Sequence, residues 1–271
     1  MRSLPLDDRR SGGAFSVLHR PLPSEAAEPE SARAPSVDIL SLVAHELRNG
    51  LLPLRLAAAQ IDAARVDAKR LTRLRFTIEQ QVDHLSGLIG DLLDVSRARN
   101  GKLRLACRPL DVATILARCV ADCRPRMAAH AQHLEVRVPA GPLPLSGDPE
   151  RLVQVFDNLL DNACKYTPPG GRIVLCAALM PDGVEVSVCD DGIGIAAEAL
   201  GRVFEPFVQV DTAVGFNGAG LGIGLSVVRE LVQAHGGQVI ARSAGPGLGS
   251  CFTITLPFAG PPRTVAQEES R

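Results

Sequence analysis

The sequence predicts an antiparallel helical hairpin that pairs into a four-helix bundle as a dimer, followed by an α/β sandwich. Three observations carry this expectation. Apolar residues first recur at helical spacing over about 60 residues. A marked change of pattern follows near residues 99–101, where Asn100-Gly101 ends the second helix. From there, strand-like runs alternate with helical ones, as when helices cover one face of a mixed or antiparallel sheet.

The first helix begins near Val37. Ile39, Leu42, Val43 and Leu47 recur at steps of three and four, Gly50 and Pro53 break the pattern, and Leu54, Leu56 and Ile61 resume it. The second helix spans about 71–97. Its seam is Leu71, Leu74, Ile78, Val82, Leu85, Ile89 and Leu92, at coiled-coil-like spacing. The connection at Asp67-Ala68 is short, so the helices are antiparallel neighbours. Two helices of roughly 40 Å cannot bury their apolar faces alone, which predicts a homodimer. Strands are expected at 102–107, 134–138, 173–178, 184–190, 238–243 and 251–256, and helices at 112–129, 150–166 and 221–235. Residues 1–36, with five prolines and little apolar periodicity, read as a disordered leader. Residues 37–100 form the hairpin domain, 101–258 the sandwich and 259–271 a flexible tail.

Composition excludes several classes. Aromatics are 3% of the 271 residues, with no Trp and one Tyr, too few for base-stacking platforms. The formal net charge of −1 gives no broad grip on nucleic acid or anionic lipid. No apolar run approaches the roughly 18 residues of a membrane span, and the N-terminus has no apolar signal core. A cytoplasmic protein without direct membrane insertion is expected. The seven cysteines are scattered and odd in number, so reduced, partly buried thiols are expected. Cys119 and Cys123, four apart, are a weak metal signal without further ligands.

Four local motifs carry chemistry. His45-Glu46 on the first helix is either a surface pair or a nucleophilic imidazole whose neighbouring carboxylate fixes its tautomer. Asn158 and Asn162 share one helix face. Buried amides need partners, and their oxygens suit Mg2+. Lys165, one turn on, can neutralise phosphate charge. Asp190-Asp191-Gly192-Ile193-Gly194 at a strand end is either a turn or a site where a buried Asp accepts a hydrogen bond from an adenine amino group. Gly218, Gly220 and Gly222 precede a helix, where bare backbone N–H groups can surround phosphate, although a flexible loop looks the same. The polar stretch 209–217 before them reads as a lid.

In this order the motifs resemble those of the two-component sensor histidine kinases. His45-Glu-Leu-Arg-Asn is similar to the family's H-box, 158–166 to its N-box, 190–195 to its first glycine box, Phe204-Glu-Pro-Phe207 to its F-box and 218–225 to its second glycine box. The H-box more often continues Thr-Pro; here it continues Asn49-Gly50, which implies a helix kink that is either softer or shifted toward Pro53. The resemblance implies a dimerisation and histidine-phosphotransfer hairpin followed by an ATP-binding domain of the Bergerat fold. It implies ATP and Mg2+ as cofactors, autophosphorylation of His45 with Glu46 as base or orienting carboxylate, and Mg2+ held by Asn158 and Asn162. Lys165 would lie near the phosphates and Tyr166 near the base that Asp190 reads. Gly192 and Gly194 would admit the base, and Gly218, Gly220 and Gly222 would cradle phosphate. The phosphoryl group would pass in trans to the receiver domain of a response regulator, which Asn49 would help to dephosphorylate. Two alternatives share the nucleotide motifs: a Bergerat-fold ATPase doing conformational work, and a non-catalytic scaffold that sequesters a regulator.

Overall fold

The structure is a computed structural model, and it describes residues 39–62, 67–209 and 221–258. The leader, the tail, Gly218, Gly220 and nearly all of the proposed lid lie outside the described residues.

Helices α1 (Ile39–Asp62) and α2 (Ala68–Arg99) form the hairpin. Asp67 caps α2 by accepting from Arg70 N–H at 2.7 Å. The expected break in the first helix is absent, and α1 runs through Gly50 and Pro53. Gly50 is buried at the contact with α2, where a Cβ would stand 2.6 Å from Leu85 Cδ2, so glycine allows close helix approach. Pro53 leaves the carbonyl of Asn49 without its helical donor, but Asn49 is exposed and water can serve it. The predicted seam of α2 divides between two faces. Leu74 is buried, whereas Leu71, Val82 and Ile89 are about half exposed. Leu52, Leu56 and Phe76 add to this uncovered apolar surface.

The second region contains β1 (Arg108–Asp111), α3 (Val112–Ala129), β2 (His133–Arg137), β3 (Pro144–Gly147), α4 (Pro149–Tyr166), β4 (Arg172–Met180) and β5 (Gly183–Asp190). A short α5 (Ala197–Leu200), then α6 (Gly224–Ala234), β6 (Gln238–Arg242) and β7 (Ser250–Pro257) complete it. The main sheet has the order β2-β4-β5-β7-β6, with β2 parallel to β4 and the other neighbours antiparallel. Alternation along β4, β5 and β7 buries Ile173, Leu175, Val184, Val186, Val188, Ile254 and Leu256. These pack with Phe156, Leu159 and Leu160 of α4 and Val228, Leu231 and Val232 of α6 in one core.

Several expectations need correction. Residues 102–107 are not a strand. Ala106 N–H donates to Asp148 Oδ2 at 2.9 Å rather than to a ladder, and the strand is β1, paired antiparallel with the unpredicted β3. The helix expected from 221 begins at Gly224, because Gly222 has φ +67, outside helical space. Reduced thiols are found at five cysteines, but Cys189 and Cys251 form a disulfide. They are 62 residues apart in sequence, and the β5–β7 register sets them directly opposite.

Asp148 ties the frame together. Its Oδ1 caps α4 by accepting from Glu150 N–H and Arg151 N–H. Its own N–H donates to Nε2 of the buried His235 at 3.0 Å, and His235 Nδ1 lies 2.7 Å from the Leu231 carbonyl. The ring therefore carries its proton on Nδ1 and must be neutral to accept at Nε2. Burial lowers the His235 pKa, against smaller opposing effects from the Leu231 carbonyl and Asp148. With the folded value depressed, this stabilisation is fully present above the unfolded value of about 6.5 and is lost as pH falls towards the folded value. Urea titrations of the wild type should show stability declining below about pH 6.5. His235→Gln should be less stable at pH 8 and show a shallower decline. Parallel pH profiles would mean that His235 does not link stability to pH.

Candidate nucleotide site

Helix α4 positions half of the site. Its apolar face enters the core, and its other face turns Asn158, Asn162 and Lys165 into a cavity of about 620 Å³, within the range of small-molecule pockets. Asn158 Nδ2 is buried with no hydrogen-bond partner among the described residues, and its Oδ1 lies beside Gly224 at the start of α6. An unpaired buried amide is costly, so this atom points to a ligand. Lys165 Nζ lies 5.1 Å from the Tyr166 ring centroid, and both residues line the cavity.

The end of β5 supplies the opposite wall. Asp190 Oδ1 accepts from Gly192 N–H at 2.9 Å, and Oδ2 accepts from the Ser250 hydroxyl at 2.6 Å. Burial raises the Asp190 pKa, opposed by the Ser250 hydrogen bond and backbone N–H groups. Asp191 is turned to structural use, accepting from Arg172 N–H at 2.7 Å. A Cβ on Gly192 would lie 2.2 Å from the Tyr166 carbonyl, so only glycine lets the N-box helix end and the glycine turn meet. The turn is clasped from the β6–β7 connection: Gly247 N–H donates to Ile193 O, Gly249 N–H to Gly192 O, and Ile195 N–H to Ser243 Oγ. Phe207 N–H holds the Gly222 carbonyl at 3.0 Å, and Phe204 meets Phe252 edge-on.

Of the residues singled out from sequence, Asn158, Asn162, Lys165, Tyr166, Asp190, Gly194 and Gly222 line this one cavity, and Gly192 supports it. Glu46 on α1 is buried, Asn49 is exposed, and neither lines the cavity; the His45 side chain lies outside the described residues. Sequence reasoning missed Ser250, which only the β5–β7 register brings to the motif, and Ser243, which the β6–β7 connection folds onto Ile195. It also missed α2, which contributes Asp83, Gly87, Leu88 and Asp91 to the cavity. Five aspartates and one lysine line the cavity, so a polyphosphate would need added positive charge. Among the described residues no group of three or more His, Cys, Asp or Glu is placed to hold a metal.

A polar cluster fastens α4 to α2. Arg151 Nη1 donates to Asp94 Oδ2 at 2.6 Å and to Gln154 Oε1 at 2.9 Å. Gln154 Nε2 donates to Asp91 Oδ1 at 2.8 Å and Asp94 Oδ2 at 3.0 Å. Asp94 is nearly inaccessible, while Arg151 keeps some contact with water. Burial raises the pKa of Asp91, opposed by the Gln154 hydrogen bond.

A helical hairpin joined to an ATPase-like α/β sandwich defines the class, and comparisons with known proteins define the family. Residues 37–101 match the His Kinase A (phospho-acceptor) domain. Residues 147–260 match the histidine kinase-, DNA gyrase B- and HSP90-like ATPase family, whose domain binds ATP. The adaptive-response sensory kinase SasA of Thermosynechococcus vestitus is 38% identical over 81% of this chain and 59% of its own. A mycobacterial sensor histidine kinase structure, MprB, is 30% identical over 58% of this chain and all of that one, with a TM-score of 0.50. The structure of full-length ShkA in complex with AMPPNP gives 30% identity and a TM-score of 0.60 over 83% of this chain and 46% of that one. The chain belongs to the sensor histidine kinase family. It spans 59% of that SasA sequence and 45% of another curated relative. Among the described residues no helix is long and apolar enough to cross a membrane.

A double-mutant cycle on Asp94→Ala and Arg151→Ala, read by urea unfolding, should give a coupling of about 1–2 kcal/mol, as for a hydrogen-bonded ion pair. Strictly additive losses would mean that the pair does not fasten α4 to α2.

Proposed function

We propose that this chain is an ATP-dependent protein-histidine kinase whose phosphoacceptor is His45 and whose acceptor in turn is an aspartate of a separate response regulator. The observation that carries the reading is the convergence of Asn158, Asn162, Lys165, Asp190, Gly194 and Gly222 on one cavity, in a chain whose hairpin carries His45-Glu46. Asp190, held by Gly192 N–H and Ser250, accepts from the adenine amino group. Gly192 and Gly194 let the base approach, with Tyr166 beside it. Gly218, Gly220 and Gly222 offer backbone N–H groups to the phosphates, and Lys165 adds charge.

The unpaired Asn158 amide and the acidic lining fit a nucleotide that brings its own cation. Asn158 and Asn162 would hold Mg2+, which offsets phosphate charge. Glu46 orients the His45 imidazole or accepts its proton. The other imidazole nitrogen attacks the γ-phosphorus, the bond to the β-phosphate oxygen breaks, and ADP leaves. The uncovered apolar surface of Leu52, Leu56, Phe76, Val82 and Ile89 supports a homodimer through the hairpin, with domains at 37–100 and 101–258. Nothing in the cavity or the comparisons favours the conformational ATPase or the scaffold.

Incubation with γ-labelled ATP should give an acid-labile, base-stable phosphoprotein. His45→Gln should bind ATP normally and take up no label, whereas Asp190→Asn should weaken ATP binding about tenfold or more, the worth of a hydrogen bond to a charged group. Label on His45→Gln would refute the phosphoacceptor assignment.

Asn49 lies one turn beyond His45 and is exposed. Its carboxamide can hold a water without competing as a nucleophile. Asn49→Ala should keep most autophosphorylation and lose most dephosphorylation of a purified phosphorylated regulator. Equal acceleration by both proteins would remove that role.

A further inference from the structure

The disulfide lies one residue behind the adenine-reading pair. In the β5–β7 ladder Cys189 faces Cys251, and the next pair is Asp190 opposite Ser250. The Cα atoms of the cysteines are 4.0 Å apart, close to the narrow spacing of a non-hydrogen-bonded antiparallel pair. Alternation sends Val186 and Val188 into the core against α4 and α6, so Ser187 and Cys189 stand on the other face of the sheet. Cys189 and Cys251 are half-buried there, within reach of a small thiol reagent. The five remaining cysteines stay unpaired, including Cys176 on β4 and the exposed Cys107. Bridge formation is therefore specific to the one pair whose strand register opposes two sulfurs.

We propose that Cys189 and Cys251 form a reversible thiol–disulfide site, of the class that exchanges with glutathione, and that its oxidation tightens the nucleotide pocket through Asp190 and Ser250. In the oxidising direction the Cys189 thiolate attacks oxidised glutathione, forming a mixed disulfide and releasing one glutathione thiolate. The Cys251 thiolate then attacks the Cys189 sulfur and expels the second glutathione. The two cysteines give up two electrons and two protons, and one glutathione disulfide becomes two thiols. The bridge fixes the separation of β5 and β7 one residue before the point where Ser250 Oγ donates to Asp190 Oδ2 at 2.6 Å. It thereby holds the carboxylate in the orientation that accepts the adenine amino group, lowering the ordering cost of binding. Reduction removes this cross-link and leaves the Asp190–Ser250 pair to the ladder and its own hydrogen bond.

The coupling rests on the nucleotide reading of the pocket, while the chemistry of the pair does not. The full chain is equilibrated in glutathione buffers of graded ratio, trapped with acid and alkylating reagent, and mapped by peptide mass spectrometry. ADP binding is then measured by calorimetry at the oxidised and reduced ends. The expected result is a Cys189–Cys251 linked peptide that appears and disappears reversibly, with ADP bound several-fold more tightly by the oxidised protein. Cys189→Ser and Cys251→Ala should each bind like the reduced wild type in both buffers. Both cysteines alkylated at every ratio would overturn the site. A reversible bridge with equal or weaker ADP affinity on oxidation would overturn the coupling. If neither form binds ADP, the nucleotide reading falls and the coupling with it, and the peptide map still decides the site.

Discussion

The structure depends on α4 being two-faced. Leu152, Val155, Phe156, Leu159 and Leu160 must be buried against the sheet and α6, and this fixes the roll of the helix about its axis. Once the roll is fixed, Asn158, Asn162 and Lys165 can point only into the cleft. Truncating a fully buried residue such as Phe156 costs about 3–5 kcal/mol, more than any surface contact of the helix can return. Asn158 Nδ2 is held away from water without a partner because the surrounding apolar contacts outweigh that cost. Packing thus keeps this donor unsatisfied, and a ligand that satisfies it is favoured accordingly.

The ends of α4 determine what else meets there. At its N-terminus Asp148 caps the helix and receives Ala106 N–H, while its own N–H reaches His235 at the end of α6. At its C-terminus the Tyr166 carbonyl accepts from Ile193 N–H and closes over Gly192. The strand carrying Asp190, the helix carrying the asparagines and the helix that follows the second glycine box are therefore registered by backbone contacts, not by the ligand. Arg151 and Gln154 extend the same helix to Asp91 and Asp94 of α2, so the candidate nucleotide cavity is bounded in part by the hairpin.

Much of this was legible in the sequence because it is local. Helical spacing locates the two hairpin helices and α3, α4 and α6; strand-like runs locate β2, β4, β5, β6 and β7; and three of the four motifs supply Asn158, Asn162, Lys165, Tyr166, Asp190, Gly194 and Gly222, which meet in the cavity. The failures are non-local. Strand β1 is a short edge segment whose partner β3 lies about 35 residues away, and no periodicity marks it. Ser250 and the Cys189–Cys251 bridge depend on a strand register that no local pattern encodes. Gly50 read as a helix break because glycine usually is one, whereas here it admits Leu85. The seam of α2 looked uniform in sequence, yet α1 covers only part of it.

The fold presents Asn158 and Lys165 by packing, and Asp190 by its hydrogen bonds to Gly192 and Ser250, as a site for a nucleotide that arrives with its cation. Calorimetric titration of the unmodified chain with ATP, with and without Mg2+, tests it most directly. One ATP per chain should bind, markedly more tightly when Mg2+ is present. Binding that is indifferent to Mg2+, or absent altogether, would contradict it.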